Sequence, residues 1–265
     1  MSTGPAWLFC PADRPERFGK AAAVADVVIL DLEDGVAAAD RPAAREALRN
    51  TPLDPERTVV RVNPAGTEDQ ARDLEALADT AYTTVMLAKT ESAAQVEALA
   101  PRRVVALIET PRGVVFSTEI AAAQGCVAMM WGAEDLVAAM GGGSSRHADG
   151  RYRDVARHAR STVLLAASAF GLAALDAVYL NIGDLDGLKA EAVDGAAVGF
   201  AATVCIHPTQ VAVVRDAYRP PAERIDWARR VLDAAQSERG VFAFEGQMVD
   251  SPVLRHAEAI LRRAD

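Results

Sequence analysis

Several things are scarce in this chain of 265 residues, and each scarcity excludes something. Cysteine occurs three times, at Cys10, Cys126 and Cys205, odd in number and far apart. No CxxC pair and no thiolate metal spacing can be built from them, and a reduced compartment fits best. No apolar stretch approaches the ~20 residues of a membrane span. The segment Met1 to Trp7 lacks the basic start and long apolar run of a signal peptide, so the expected location is cytoplasmic, without membrane attachment. Neither a nucleophile elbow nor a phosphate-binding Walker loop is present. Lysine is limited to positions 20, 89 and 189. A net charge of -9 argues against nucleic acid as a partner, and any polyanionic ligand would need a local basic patch.

What the chain does have is alternation. Short β-branched runs recur between helical patterns: Trp7 to Cys10, Val27 to Leu30, Thr58 to Arg61, Thr84 to Leu87, Val104 to Ile108, Val127 to Trp131, Ala177 to Asn181 and Thr203 to Ile206. They are continuously apolar, as strands covered on both faces are. Between them, Ala71, Leu74, Leu77 and Ala78 share one helical face, as do Val155, Ala159, Val163, Ala166 and Phe170. Asp40 and Thr67 stand where helix-capping side chains are expected. Eight such units in a row close most simply into a (β/α)8 TIM barrel, an α/β fold. The competing open, doubly wound sheet would need a switch point and a glycine-rich loop, and no such loop follows any strand. Residues 1–219 form the expected barrel. Residues 220–265 form an extension with a helix from Ile225 to Gln236 and a last helix from Val253, too short to hold its own core.

The residues just past the apolar runs are polar: Asp13 and Arg14; Asp31, Glu33 and Asp34; Arg61 and Asn63; Lys89; Glu109; Glu134 and Asp135; Asn181 and Asp184; His207 and Gln210. In a barrel they converge on the rim that carries chemistry, and a ring so rich in carboxylates repels itself without a cation. Glu109 and Asp135 come from neighbouring strands, and hard oxygen donors suit Mg²⁺. The competing reading pairs these acids with arginines such as Arg61 or Arg112. Lys89 alone could form a Schiff base, but surrounding acids raise its proton affinity, so it reads as an electrostatic partner. Zinc does not suit a site with His207 as its one histidine, and His147, His158 and His256 read as solvent-facing. The stretch Gly141 to Gly150 reads as a long mobile loop.

Seven segments together resemble the citrate lyase β-subunit, malyl-CoA lyase and citramalyl-CoA lyase superfamily. They are Leu8 to Arg17, Leu30 to Val36, Val60 to Asn63, Leu107 to Pro111, Trp131 to Leu136, Cys205 to Gln210 and Phe244 to Asp250. The resemblance spans nearly the whole chain. It implies a homotrimeric lyase that uses Mg²⁺ on Glu109 and Asp135 to cleave a short β-hydroxyacyl-CoA into acetyl-CoA and a keto acid. Citramalyl-CoA, malyl-CoA and 3-hydroxy-3-methylglutaryl-CoA are the candidate substrates. Substrate contacts are implied for Arg61, Glu109, Gly132 and Ala133, and CoA contacts for Arg14, Arg17 and Lys20. Arg61, Glu33 and Asp34 are implied in catalysis, and Asp250 is implied to complete the site of an adjacent subunit. Malate synthase or thioesterase activity, a citryl-carrier lyase subunit, or a CoA-binding scaffold remain alternatives at this level. Two departures stand out: Ala88-Lys89 where the family usually has Pro-Lys, and no lysine within Gly199 to Thr203, where a Gly-Lys pair is usual.

Overall fold

The protein was analysed as a computed structural model that describes residues 4–238 and 240–264, so Met1 to Thr3 of the amino-terminal segment lie outside it. Eight parallel strands close on themselves in chain order. They are β1 (Ala6–Pro11), β2 (Val27–Asp31), β3 (Thr58–Val62), β4 (Thr84–Leu87), β5 (Arg103–Ile108), β6 (Cys126–Trp131), β7 (Ala173–Asp176) and β8 (Ala202–Cys205). Every residue of β2, β3 and β4 is buried. Side chains alternate across a strand, so one set, including Ile29, Val59, Met86, Leu107, Met130 and Val204, fills the barrel and the other meets the helices. The expected barrel is therefore the one that forms. All strand ends of one polarity share a rim, and the register sets Asp31 of β2 directly beside Arg61 of β3.

The seventh strand is not where its sequence pattern lies. The β-rich run after Ala177 has left the barrel, with Leu180 54% exposed, and the true strand is the alanine-rich Ala173–Asp176 just before it. The helix Asp154–Ala169 ends at Phe170, and Gly171 turns with a φ of 67° straight into the sheet, which leaves no room for a later start. The rim residue of this unit is consequently Asp176, not Asn181 or Asp184. Asp184 caps the helix Leu185–Val198 by accepting the Gly187 N–H at 2.9 Å.

One helix face is turned by a residue from its expected position, and a second differs only at its ends. In the helix Glu68–Ala78 the inward side chains are Asp73, Ala76 and Leu77, while Ala71 and Ala78 face solvent. Fully buried Asp73 explains the rotation. It accepts from Arg45 Nε at 2.7 Å, Asn63 N at 2.9 Å and Asn63 Nδ2 at 2.8 Å, which ties two neighbouring units together. In the helix Asp154–Ala169 the expected Ala159, Val163 and Ala166 are buried, with Ala156 and Ala167 beside them, whereas Val155 and Phe170 at the two ends are exposed. Thr67 does cap its helix, accepting from Gln70 N, whereas Asp40 makes no capping hydrogen bond. All three cysteines are buried, and burial pushes the Cys10 and Cys126 thiols up to about 11. Among the described residues no helix is long and apolar enough to cross a membrane.

The division into compact units falls between Val214 and Arg215. The second unit has the helix Ala222–Ala235, a hairpin of β9 (Phe242–Phe244) and β10 (Gln247–Val249), and the helix Ser251–Ala264. Glu245 and Gly246 both have positive φ, at 49° and 77°, the pattern of a type I′ hairpin turn. Contrary to expectation this short unit has a small core: Ala228, Val231, Val249 and Ala257 are buried together, with Phe242 and Leu254 packed against them.

Candidate active site

Glu109 directly follows β5, and burial leaves it 3% exposed. Its Oε1 accepts the Lys89 main-chain N–H at 3.0 Å. One strand further on, Gly132 caps the short helix Ala133–Ala139, whose first turn carries Glu134 and Asp135. Asp135 thus stands on a helix turn rather than at the tip of β6, and its side chain is 40% exposed. Burial first, and then the charge of Asp135, push the Glu109 carboxyl up to about 8. Glu134 also lines the site and accepts from the hydroxyl of buried Ser145 at 2.5 Å.

Gly132 is what lets the two strands' acids share this space. A Cβ there would lie 2.8 Å from Glu109 Cβ and 2.9 Å from its Oε2. Gly132→Ala is expected to displace the Glu109 carboxylate and weaken Mg²⁺ affinity at least tenfold while the barrel remains folded. Metal titration by calorimetry alongside circular dichroism checks this, and unchanged affinity would dissociate Gly132 from the site.

Arg61, on β3, is held on three sides. Its Nε and Nη2 fork onto Asp31 at 2.7 and 2.5 Å, Nη1 lies 3.1 Å from Glu33 Oε2, and the guanidinium stacks on Phe9 at 4.6 Å. Asp31 is in turn fixed by the main-chain N–H groups of Glu33 and Gly35. Burial pushes the Glu33 carboxyl upward even with Arg61 and Lys89 beside it. The Lys89 ammonium hydrogen-bonds Glu33, and lies 3.1 Å from Asp34, 3.5 Å from Asp135 and 4.0 Å from Glu109. Burial alone would favour its neutral form. The Glu33 hydrogen bond and the charges of Glu109 and Asp135 outweigh that, so Lys89 stays protonated and is unsuited to Schiff-base chemistry.

A cavity of about 90 Å³ opens among these groups. Arg61, Glu109 and Asp135 line its polar side, above Gly132 and Ala133. Phe9, Leu107, Met130 and Val178, where the barrel core reaches the rim, form an apolar floor. The arginine pairing considered for the two acids is not what forms. Arg61 serves Asp31 and Glu33, Arg112 stacks on Phe116, and Lys89 is the cation within 4.0 Å of both Glu109 and Asp135.

Of the other expected residues in the barrel unit, Arg14, Arg17 and Lys20 do not line this cavity. Arg14, Arg17 and Lys20 are exposed on the segment after β1, and Arg14 and Arg17 lie near Asp13 and Glu16, at 3.5 and 3.9 Å. Asp250 belongs to the second unit, where it accepts from Val253 N at 3.3 Å at the start of the last helix. His207 contacts Thr209, and Gln210 organises the turn after β8 by accepting from Ile206 N at 2.9 Å. His147, His158 and His256 are exposed, in agreement with their patterns. The stretch Gly141 to Gly150 is tied down more than its glycines imply. Besides the Ser145 hydroxyl, Arg146 pairs with Glu191 and stacks on Tyr152 at 3.7 Å.

The sequence profile of the HpcH/HpaI aldolase/citrate lyase family matches residues 6–208, the barrel from its first strand to the turn after its last. The chain belongs to that family. It is accordingly an enzyme, a lyase. A citrate lyase subunit beta-like protein of Mycobacterium tuberculosis is 74% identical over 263 residues, which cover 99% of this chain and 96% of the relative. The human mitochondrial citramalyl-CoA lyase is 31% identical over 285 residues, covering 95% of this chain and 82% of the relative. A crystal structure of CitE from Mycobacterium tuberculosis, in complex with magnesium, acetoacetate and coenzyme A, has a TM-score of 0.97 to this protein. It is 74% identical, and the match covers 99% of this chain and 98% of that one.

Proposed function

We propose that the protein is a Mg²⁺-dependent lyase that cleaves a short β-hydroxyacyl-CoA to acetyl-CoA and a keto acid. The observation that carries this reading is the grouping of Glu109, Asp135 and Arg61 around one small cavity with an apolar floor. A buried carboxylate whose proton affinity is raised by a neighbouring acid is part of a donor set seeking a cation, and the hard oxygens of Glu109 and Asp135 fit a small divalent ion. The magnesium in the Mycobacterium tuberculosis structure supports the same choice. Held by Glu109 and Asp135, magnesium would supply Lewis-acid polarisation of the substrate's hydroxy-acid end.

The chain's own residues then account for the rest. As the β-hydroxyl passes its proton to a water molecule, its O–H electrons form the carbonyl of the keto acid, and the electrons of the breaking carbon-carbon bond pass to the thioester and leave an acetyl-CoA enolate. Arg61, fixed before substrate arrives, stabilises that negative charge without reorganising. Glu33 and Asp34 act as positioning residues, Glu33 on both Arg61 and Lys89, Asp34 on Lys89 alone. Asp250, supplied to the site of a neighbouring copy in a homotrimer, protonates the enolate carbon to give acetyl-CoA. Arg14, Arg17 and Lys20 meet the CoA phosphates. The floor of Phe9, Leu107, Met130 and Val178 suits a methyl substituent on the departing keto acid, which favours citramalyl-CoA over malyl-CoA.

A panel of citramalyl-, malyl- and 3-hydroxy-3-methylglutaryl-CoA with Mg²⁺, assayed for keto acid and free CoA, tests this. Citramalyl-CoA should give pyruvate with a kcat/KM roughly tenfold to a hundredfold above that for glyoxylate release from malyl-CoA, the worth of one methyl in a pocket. Asp250→Asn should lose exchange of acetyl-CoA methyl protons with solvent. Release of free CoA without keto acid, from every ester, would replace the lyase with a thioesterase.

A further inference from the structure

Lys89 is in an unusual place. It has a φ of 51°, a left-handed conformation that non-glycine residues hold only when their surroundings impose it. Those surroundings are acidic: the main-chain N–H is bound by Glu109, and the ammonium faces Glu33, Asp34, Asp135 and Glu109. We propose that the Lys89 ammonium is a displaceable internal cation. It holds the metal-binding acids together in the metal-free protein and sets how tightly a divalent ion binds there. The inference rests on the reading of Glu109 and Asp135 as metal ligands.

Among the described residues, the carboxylates of Asp31, Glu33, Asp34, Glu109 and Asp135 form their ion pairs here with two cations, Arg61 and Lys89. Of the two, Arg61 cannot move, being forked onto Asp31, paired with Glu33 and stacked on Phe9. Lys89 is a point charge on a flexible stem, with its side chain 29% exposed. Its two closest partners are Glu33 and Asp34, and Asp135 and Glu109 are its two more distant ones. An arriving divalent ion can therefore claim Glu109 and Asp135 while Lys89 keeps Glu33 and Asp34. The ammonium then lies beside the ion and repels it, which lowers affinity for the bare metal. A bound acid group from the substrate offsets that repulsion, so metal and substrate favour one another at this site.

The test is metal binding without turnover. Mn²⁺ is titrated into wild-type protein, Lys89→Met and Lys89→Arg in the absence of substrate, with free Mn²⁺ read by electron paramagnetic resonance. Lys89→Met should bind roughly tenfold to a hundredfold more tightly than wild type, the range expected for removing one like charge a few ångströms away. Lys89→Arg, which keeps the charge, should stay near wild type. Melting temperature in chelator should fall for Lys89→Met and recover on adding metal. Equal or weaker Mn²⁺ binding by a folded Lys89→Met would overturn the proposal, and Lys89→Gln repeats the measurement if that variant is insoluble. If wild type and all variants ignore millimolar Mn²⁺, the metal reading itself has failed, a result separate from loss of the Lys89 effect.

Discussion

Glu109→Gln and Asp135→Ala are each expected to lose lyase turnover by on the order of a thousandfold or more, together with any response to Mg²⁺. The estimate follows from the several kcal/mol that Lewis-acid stabilisation contributes to such a reaction, at about 1.4 kcal/mol for each factor of ten. Stability should not follow activity. Glutamine at 109 keeps an oxygen for the Lys89 N–H and replaces a carboxyl that burial and Asp135 already push up to about 8, so the melting temperature of metal-free protein should hold or rise. Steady-state rates with and without chelator, beside thermal melts, separate the two effects. Metal-independent turnover in either variant would end the assignment of these acids.

Arg61→Ala is expected to cost stability as well as activity. Its guanidinium is the common partner of Asp31 and Glu33, each 2% exposed, and removing it leaves buried Asp31 with main-chain N–H donors but no cation and Glu33 with Lys89 alone. Breaking a buried ion pair from one side typically costs about 3–5 kcal/mol. In a protein of this size each kcal/mol lowers the melting temperature by about 2–4 °C, which gives a fall of roughly 6–20 °C. Arg61→Lys should recover only part of it, because an ammonium cannot fork onto both oxygens of Asp31. A melting temperature within about 2 °C of wild type for Arg61→Ala would show that the carboxylates find other partners. Turnover should fall in both variants, since a shifted cation no longer faces the developing enolate.

Much of the barrel is legible because its strands are buried on both faces and must be apolar throughout, whatever their neighbours. The seventh strand escapes for the same reason. Ala173 and Ala174 are small enough to pack without a strand-like pattern, while Val178 to Leu180, which has that pattern, lies beyond the strand. Arg61 and Glu109 are legible as polar residues at the ends of apolar runs. Asp31 is visible as a rim acid, but its grip on Arg61 depends on the β2–β3 register, which brings together residues 30 apart. Lys89 is legible as an electrostatic partner of the rim acids, while which acids it meets, Glu33, Asp34, Glu109 and Asp135 from three other barrel units, is set by the closed fold. The anchoring of Gly141 to Gly150 through Ser145 and Arg146 is likewise set by partners that no local pattern marks.

Because burial holds the Cys10 and Cys126 thiols in their neutral form well above physiological pH, neither offers a thiolate to peroxides or alkylating reagents. Cys10 lies on the strand that also carries Phe9, beside the candidate site, and is 3% exposed. The enzyme should keep working through bouts of oxidant stress that silence proteins with exposed, acidic cysteines.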